Sequence, residues 1–366
     1  MTSPFHNNFP SADDLLLLPR RGILSSRSKA ELHPFIYSAP MDRVTGWNMA
    51  KSLLAIGEIP VISRFLEEDE WYQCIKDYHS TSAFFGIGAR KEELLEFIEA
   101  LQELDTEDLY VNVAVDIAHG HSNLGLDVIA YLRELPFVRS IMSGSIATPE
   151  AAIDCVRQGA SHLRVGIGPG SMCTTRLMTG VGVPNISAVH HIHENLKDAF
   201  TDRSEITIIA DGGIRYPGDA VKYIAAGADA VMLGSVFAKC LESPGWQEEQ
   251  PRHLRGDGNI PIMLFSHEPH KRKPYLVKTY RGQASAEFQK DKDKSSWCPE
   301  GASSNLIEWQ GETVESEVNK FRGGMQSALS YLGMRSLQQL KPQNVDFIQI
   351  TASGMTEGTA HGKSRD

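Results

Sequence analysis

His162-Leu-Arg-Val-Gly-Ile-Gly-Pro-Gly-Ser-Met-Cys-Thr-Thr-Arg-Leu-Met-Thr-Gly-Val-Gly-Val-Pro184 joins a short strand-like run to a loop with glycine at 166, 168, 170, 180 and 182. No helix or sheet interior uses glycine at that density. In a loop, glycines admit positive φ and bring peptide N–H and C=O groups close to a ligand. Cys173 lies at the centre of the turn, with Thr174, Thr175 and Arg176 beside it. Exposed amides and a neighbouring cation are surroundings that lower a thiol pKa and make a nucleophile. A strand that ends in chemistry is the unit from which the rest of the chain can be read.

Eight such runs occur, at 36–41, 60–65, 83–89, 109–118, 139–147, 162–168, 207–214 and 230–237. Between them lie amphipathic segments such as 91–101, where apolar residues recur at three- and four-residue spacing. Strands alternating with helices form parallel βαβ units. The unusual residues fall at the C-terminal ends of the runs: Ser63-Arg64, Asp116, Ser143-Gly144, the Cys173 loop, Asp211-Gly212-Gly213 and Gly234-Ser235. Eight units with their chemistry at one end predict a closed (β/α)8 TIM barrel, in which those ends share one mouth.

The chain reads as one domain over 1–366, with no regulatory domain between the strands. Asp13–Arg27 precede the first unit as a cap. Residues 246–300 are polar, charged and loop-like, and a long segment of that kind beside a barrel mouth is expected to be a mobile lid. A last helix is expected over 313–332, and the tail, 345–366, begins with a strand-like run.

Apolar residues make up 41% of the 366, ample for a buried core. With 36 basic against 46 acidic side chains the net charge is −10, so neither nucleic acid nor a membrane surface is expected as a partner. A small molecule is. Five cysteines, odd in number and never in a Cys-x-x-Cys pair, argue against disulfides and zinc. With no signal-like N-terminus and no membrane-length apolar run, the expected location is cytoplasmic.

Loops after the seventh and eighth strands form the usual phosphate site of such barrels. Asp211-Gly212-Gly213 and Gly234-Ser235 stand there, with a carboxylate able to hold ribose hydroxyls, and together imply a nucleotide monophosphate. Arg64, at the mouth, suits a phosphate or cofactor contact. His119 and His121 have the look of a metal pair, yet nothing completes a ligand set, and a satisfied pair of loop histidines is expected. His190, His191 and His193 are expected to face solvent from a helix.

Gly-Ile-Gly-Pro-Gly-Ser-Met-Cys-Thr-Thr-Arg resembles the signature loop of the inosine-monophosphate dehydrogenase and GMP reductase family, and the resemblance covers about residues 10–360. It implies that Cys173 attacks C2 of a purine nucleotide, and that Ser171, Asp211, Gly212, Gly213, Gly234 and Ser235 hold the ribose phosphate. Tyr280, Gly282, Gln283 and Ala284 would lie near phosphate and base. Asp116, Ile117 and Ala118 would line the nicotinamide pocket, Arg27 would stand near the cofactor, and Thr175 with Glu300 would protonate a departing amine. One reductase branch has His-Arg-Phe where Ser63-Arg64-Phe65 stands here, and the 2′-phosphate of NADPH would suit Arg64. Carbonyls of Gly168, Gly170 and Cys173 would hold a potassium ion, completed by Glu357, Gly358 and Thr359 of a neighbouring subunit in a homotetramer.

The resemblance leaves the reaction to be decided. Dehydrogenases of the family hydrolyse a covalent intermediate with an Arg-Tyr pair on a long lid. No Arg-Tyr occurs from Tyr280 to Pro299, and this favours NADPH-dependent reduction of GMP to IMP and ammonia. In contrast, 179–184 and 350–359 are at least as similar to bacterial dehydrogenases, which oxidise IMP with NAD. A nucleotide-binding protein without turnover is the reading from a different class.

Overall fold

The computed structural model describes residues 4–5, 8–104, 109–249, 275–291, 300–301 and 305–358. Eight parallel strands form one sheet: β2 (Ile36–Ser38), β3 (Val61–Ile62), β4 (Phe84–Ile87), β5 (Val111–Asp116), β6 (Val138–Ile146), β7 (His162–Val165), β8 (Thr207–Asp211) and β9 (Ala230–Leu233). Their order is β2-β9-β8-β7-β6-β5-β4-β3. A parallel bridge between Tyr37 and Ile59, with Ser38 N–H donating to Ile59 O at 3.1 Å, brings the two edges together as a nearly closed barrel. Every strand corresponds to one of the eight runs and stops short of its end, and residues just past the strand ends, such as Pro40, Arg64, Ala89, Ile117, Gly212 and Gly234, line the mouth.

Both faces of these strands are covered, as parallel sheets require. Inside, Tyr37, Val61, Phe84, Met142, Ile209 and Met232 form a plug distinct from the outer core, so the barrel is filled and not a pore. Outside pack α1 (Trp47–Ala55), α2 (Glu68–Tyr78), α3 (Lys91–Gln102), α4 (Asn123–Arg133) and α5 (Pro149–Gln158). After β7 come the short α6 (Thr175–Thr179) and α7 (Asn185–Ala199), after β8 comes α8 (Pro217–Ala225), and after β9 comes α9 (Ser235–Ala238). Local sequence explains the boundaries. The Thr148 hydroxyl caps α5 by accepting from Ala151 N–H, proline opens the first turn, and Gly159 at φ 123° ends it.

The eighth outer helix arrives late. After α10 (Ala286–Asp291), α11 (Val314–Tyr331) opens on a Thr313/Ser316 capping box and buries Val314, Val318, Phe321, Met325 and Leu329, a stripe at helical spacing, on the side of α8 and α1. The expected last helix therefore closes the barrel wall.

Residues 246–300 depart from the loop-like reading. β10 (Gln247–Glu249), β11 (Tyr275–Tyr280) and β12 (Asn305–Glu308) form an antiparallel sheet of order β10-β11-β12. Tyr275-Leu-Val-Lys-Thr-Tyr280 has the β-branched and aromatic content of a strand, which the charge around it masked. Lys278 fixes the sheet to the barrel: it is buried, and its ammonium donates to Arg43 O at 2.8 Å and Pro244 O at 3.3 Å. Burial among these carbonyls, with Arg43 nearby, lowers its pKa to about 7. The rest of the expected lid, 250–274 and 292–299, lies outside the described residues.

The cap and the tail meet. β1 (Leu15–Leu17) pairs antiparallel with β13 (Phe347–Gln349), and α12 (Ala352–Glu357) follows. Just before β1, Pro10 O accepts from the Ser187 hydroxyl at 2.7 Å and Ala12 O from Lys222 Nζ at 2.6 Å, laying the N-terminal segment over α7 and α8. That cover overturns the expectation of solvent-facing histidines. His190 stacks on Phe5 at 4.1 Å, and His191 packs against Phe9. His193 is buried, with Nδ1 3.0 Å from Gly227 O, and burial drives its pKa down to about 4. Among the described residues no helix is long and apolar enough to cross a membrane.

Candidate active site

A cavity of about 500 Å³ lies at the C-terminal ends of the barrel strands. Its deepest chemistry comes from the loop after β7. Arg176, expected beside the thiol from the sequence, is not among the residues that line the cavity. It clamps the loop: Nε donates to Ile167 O at 2.9 Å and Nη2 to Val183 O. Gly168, at φ 80°, is held against that side chain, where a Cβ would come within 2.6 Å of Arg176 Cγ. The two glycine-rich ends of the loop are thus drawn onto one guanidinium. Gly212, at φ 87°, leaves room for Pro169, whose ring a Cβ there would meet at 2.8 Å. Asp-Gly-Gly and Gly-Pro-Gly are two halves of one packed turn.

Held in this way, Cys173 is half-buried, and its thiol donates to Thr175 Oγ1 at 3.1 Å. The backbone around Glu300 braces it from above. Thr174 N–H donates to Glu300 O at 2.7 Å, Glu300 N–H to Ala284 O at 3.0 Å, and Gly301 bridges both Cys173 and Ser285. The segment after β11 and Glu300-Gly301 are therefore stitched to the Cys173 loop by main chain, and Thr175 and Glu300 line the same cavity.

The other expected residues line it too. Ser171, Asp211, Gly212, Gly213, Gly234 and Ser235 form one part of the wall; Tyr280, Gly282, Gln283 and Ala284 another; Arg64, Asp116, Ile117 and Ala118 a third. Gly168 and Gly170 are at the loop itself. Gln283 Nε2 donates to Pro40 O at 2.6 Å. Burial pushes the Tyr280 phenol up to about 12, against an opposing hydrogen bond with Ser171, so it stands as a neutral donor.

Arg164 escaped the sequence reading. It lies in β7, 7% exposed, and donates through Nη1 to Asp116 Oδ1 at 2.8 Å and through Nη2 to Ser145 Oγ at 3.0 Å, with Nε 3.6 Å from Asp211 Oδ2. The signal was available: an arginine inside a strand buried on both faces must have partners, and two strand-end aspartates were already in view. Burial raises the Asp211 pKa to about 6; Arg164 opposes the shift and Asp116 adds to it. Arg64 is engaged as well, 2.6 Å from Glu93 and 3.7 Å from Asp116, with its guanidinium 4.0 Å above the Phe65 ring.

Some expected residues lie elsewhere. Glu357 and Gly358 end α12 and do not line this chain's cavity, while Thr359 lies outside the described residues. Arg27 binds Ser327 Oγ at 3.0 Å, away from the cavity. His121 Nε2 meets Asp154 Oδ2 at 3.1 Å, and the His119 ring lies edge-on to it at 6.3 Å.

Comparison with known proteins places this geometry. The IMP dehydrogenase / GMP reductase domain matches residues 19–361. An inosine-5′-monophosphate dehydrogenase of Chlorobaculum tepidum is 40% identical over 68% of this chain and 47% of its own length. One of Chlorobaculum parvum is 35% identical over 86% and 60%, and one of Borreliella burgdorferi 29% identical over 95% and 96%. The chain thus spans about half the length of the first of these relatives and nearly all of the third. A match over nearly the whole barrel, with the glycine-rich cysteine loop at its mouth, establishes that the chain belongs to the IMP dehydrogenase / GMP reductase family.

Proposed function

We propose that the chain is a cytoplasmic GMP reductase, converting GMP to IMP and ammonia at the expense of NADPH. The observation that carries this reading is the fate of Arg281. Hydrolysis of the family's covalent intermediate needs a base to activate water, supplied in the dehydrogenases by an Arg-Tyr pair. From Tyr280 to Pro299 the only arginine is Arg281, and it is tied to Asp42 at 3.1 Å. A sequence from 280 to 299 without that pair suits a reaction in which hydride, not water, meets the intermediate.

In this scheme Asp211 accepts from the ribose hydroxyls, and the peptide N–H groups of Gly212, Gly213, Gly234 and Ser235, with the Ser171 and Tyr280 hydroxyls, take the phosphate. Gly282, Gln283 and Ala284 stand by the base. Cys173, passing its proton toward Thr175, adds through sulfur to C2 of the guanine. Thr175 and Glu300 deliver the proton with which the C2 amine leaves as ammonia. A nicotinamide dinucleotide fits the wall along Asp116, Ile117 and Ala118, where a carboxylate lies beside apolar surface, and when bound it supplies hydride to C2. Cys173 then departs as thiolate and IMP remains. Arg64 is a cation on this side that suits a 2′-phosphate, although Glu93 shares its charge.

A monovalent cation such as potassium suits the carbonyls of Gly168, Gly170 and Cys173, since weakly hydrated ions accept carbonyl cages. Glu357, Gly358 and Thr359 would complete that site from a second copy, which implies a cyclic homotetramer.

Oxidation of IMP with NAD is the second reading, favoured by the names of the relatives and by the segments 179–184 and 350–359. The two are separated by supplying GMP with NADPH and, in parallel, IMP with NAD, and following absorbance of the reduced nicotinamide. The reductase reading expects the first couple to be far the faster. A faster second couple makes the chain a dehydrogenase, and nucleotide binding with neither reaction makes it a silent binding protein.

A further inference from the structure

The guanidinium of Arg164 is shared between two carboxylates that face different parts of one cavity. Asp116 ends β5 and Asp211 ends β8, with β7 and Arg164 between them. The contacts are 2.8 Å to Asp116 Oδ1 and 3.6 Å to Asp211 Oδ2, and Ser145 Oγ takes a third donor at 3.0 Å. The side chain is 9% exposed, so these charges act on one another with little screening by water. The planar fork is rigid, so a shift that improves one contact alters the others.

We propose that Arg164 is a positioning residue that couples the two halves of the cavity, so that a ligand on Asp116 raises the affinity for a ligand on Asp211, and the reverse. The proposal rests on the functional reading above, in which the dinucleotide lies along Asp116 and the nucleotide ribose on Asp211. A ribose hydroxyl that donates to Asp116 satisfies that carboxylate, which then draws less on the guanidinium. The fork then settles on one arrangement, in which Asp211 already has the orientation that meets the second ligand. Thermodynamic linkage makes the effect reciprocal. A purely structural arginine would stiffen the wall without making one affinity depend on the other.

The test uses unreactive pairs, GMP with NADP+ and IMP with NADPH, so that calorimetry reads binding and not turnover. In the wild-type protein saturating dinucleotide is expected to tighten nucleotide binding about fivefold or more, the lower range of such couplings. Arg164→Gln is expected to bind nucleotide with the same affinity whether or not dinucleotide is present. Arg164→Lys keeps the charge without the fork, and is expected to keep only part of the ratio. Ser145→Ala removes the third contact alone and should leave the ratio as it was. Should Arg164→Gln not fold, as judged by its melting curve, Arg164→Lys carries the test. A ratio near one in the wild type, or a full ratio in a folded Arg164→Gln or in Arg164→Lys, overturns the coupling. Failure of the wild-type protein to bind either nucleotide overturns the functional reading and the coupling with it, whereas nucleotide binding with an unchanged ratio in the variants overturns the coupling alone.

Discussion

On the proposed reading Cys173, hydrogen-bonded to Thr175 Oγ1 and bridged to Gly301, forms the covalent bond, so its loss should remove that step and leave the proposed phosphate contacts in place. Cys173→Ala is expected to reduce turnover by on the order of 10³-fold or more with GMP affinity changed little. Residual activity above a few per cent, measured on protein free of wild type, would mean that another group makes the bond. Asp211 gives a prediction in stability. Its folded pKa is raised from 3.8 to about 6, so its contribution is fully present below 3.8 and is lost as pH rises through about 6. Wild-type stability relative to Asp211→Asn should therefore fall by about 2–3 kcal/mol between pH 4 and pH 7. Denaturant melts of the two proteins that stay parallel across that range would refute it. At this scale the sequence was legible where residues fell at strand ends, since a buried strand end beside glycine has few uses besides a site. Arg164 was not legible, because its meaning lies in two partners on other strands.

The loop from Gly166 to Pro184 is an element held by one side chain. Arg176 collects Ile167 O and Val183 O, and without it both ends of the loop lose their anchor. Arg176→Ala is expected to cost about 10²-fold in turnover through misplacement of Cys173. It should also speed alkylation of Cys173 by iodoacetamide, because the thiol is freed from its turn. Lower turnover with alkylation no faster than wild type would show that Arg176 acts by another route. Most of the strands and helices could be read from periodicity, since α3 buries Leu94, Phe97, Ile98 and Leu101 at the spacing its sequence carries. β11 and α12 could not. The charge around β11 masks its strand content, and each is stabilised by neighbours distant in sequence, such as the carbonyls of Arg43 and Pro244 that receive Lys278.

The barrel wall is complete within one chain, whereas the proposed cation site is not. Glu357 stands at the end of α12, off the cavity that holds Gly168 and Gly170. Activity is expected to be higher in potassium than in lithium, and truncation after Gly354, which spares β13, is expected to abolish that difference. Equal rates in the two salts, with full activity in the truncated chain, would remove the basis for the intersubunit site. The whole-molecule reading of a single (β/α)8 unit was accessible because the number of strands and the placement of their chemistry agree. The covering of His190 and His191 on α7 was not accessible, since that cover comes from Phe5 and Phe9, far back toward the N-terminus.

The clasp between β1 and β13 bears on how the chain is made. Arg20 and Asp346 pair across 326 residues of sequence, and Leu15–Leu17 have no ladder until Phe347–Gln349 exist. On a ribosome the N-terminal segment therefore emerges first and finds its strand partner last, after every barrel strand has been synthesised. Contacts of such long sequence separation form late, because the intervening loop must be closed before they return anything. Until then the surface of α7 and α8 beneath Phe5 and residues 9–12 lacks this brace, and the nascent barrel presents to chaperones and to its own copies a face that the finished molecule covers.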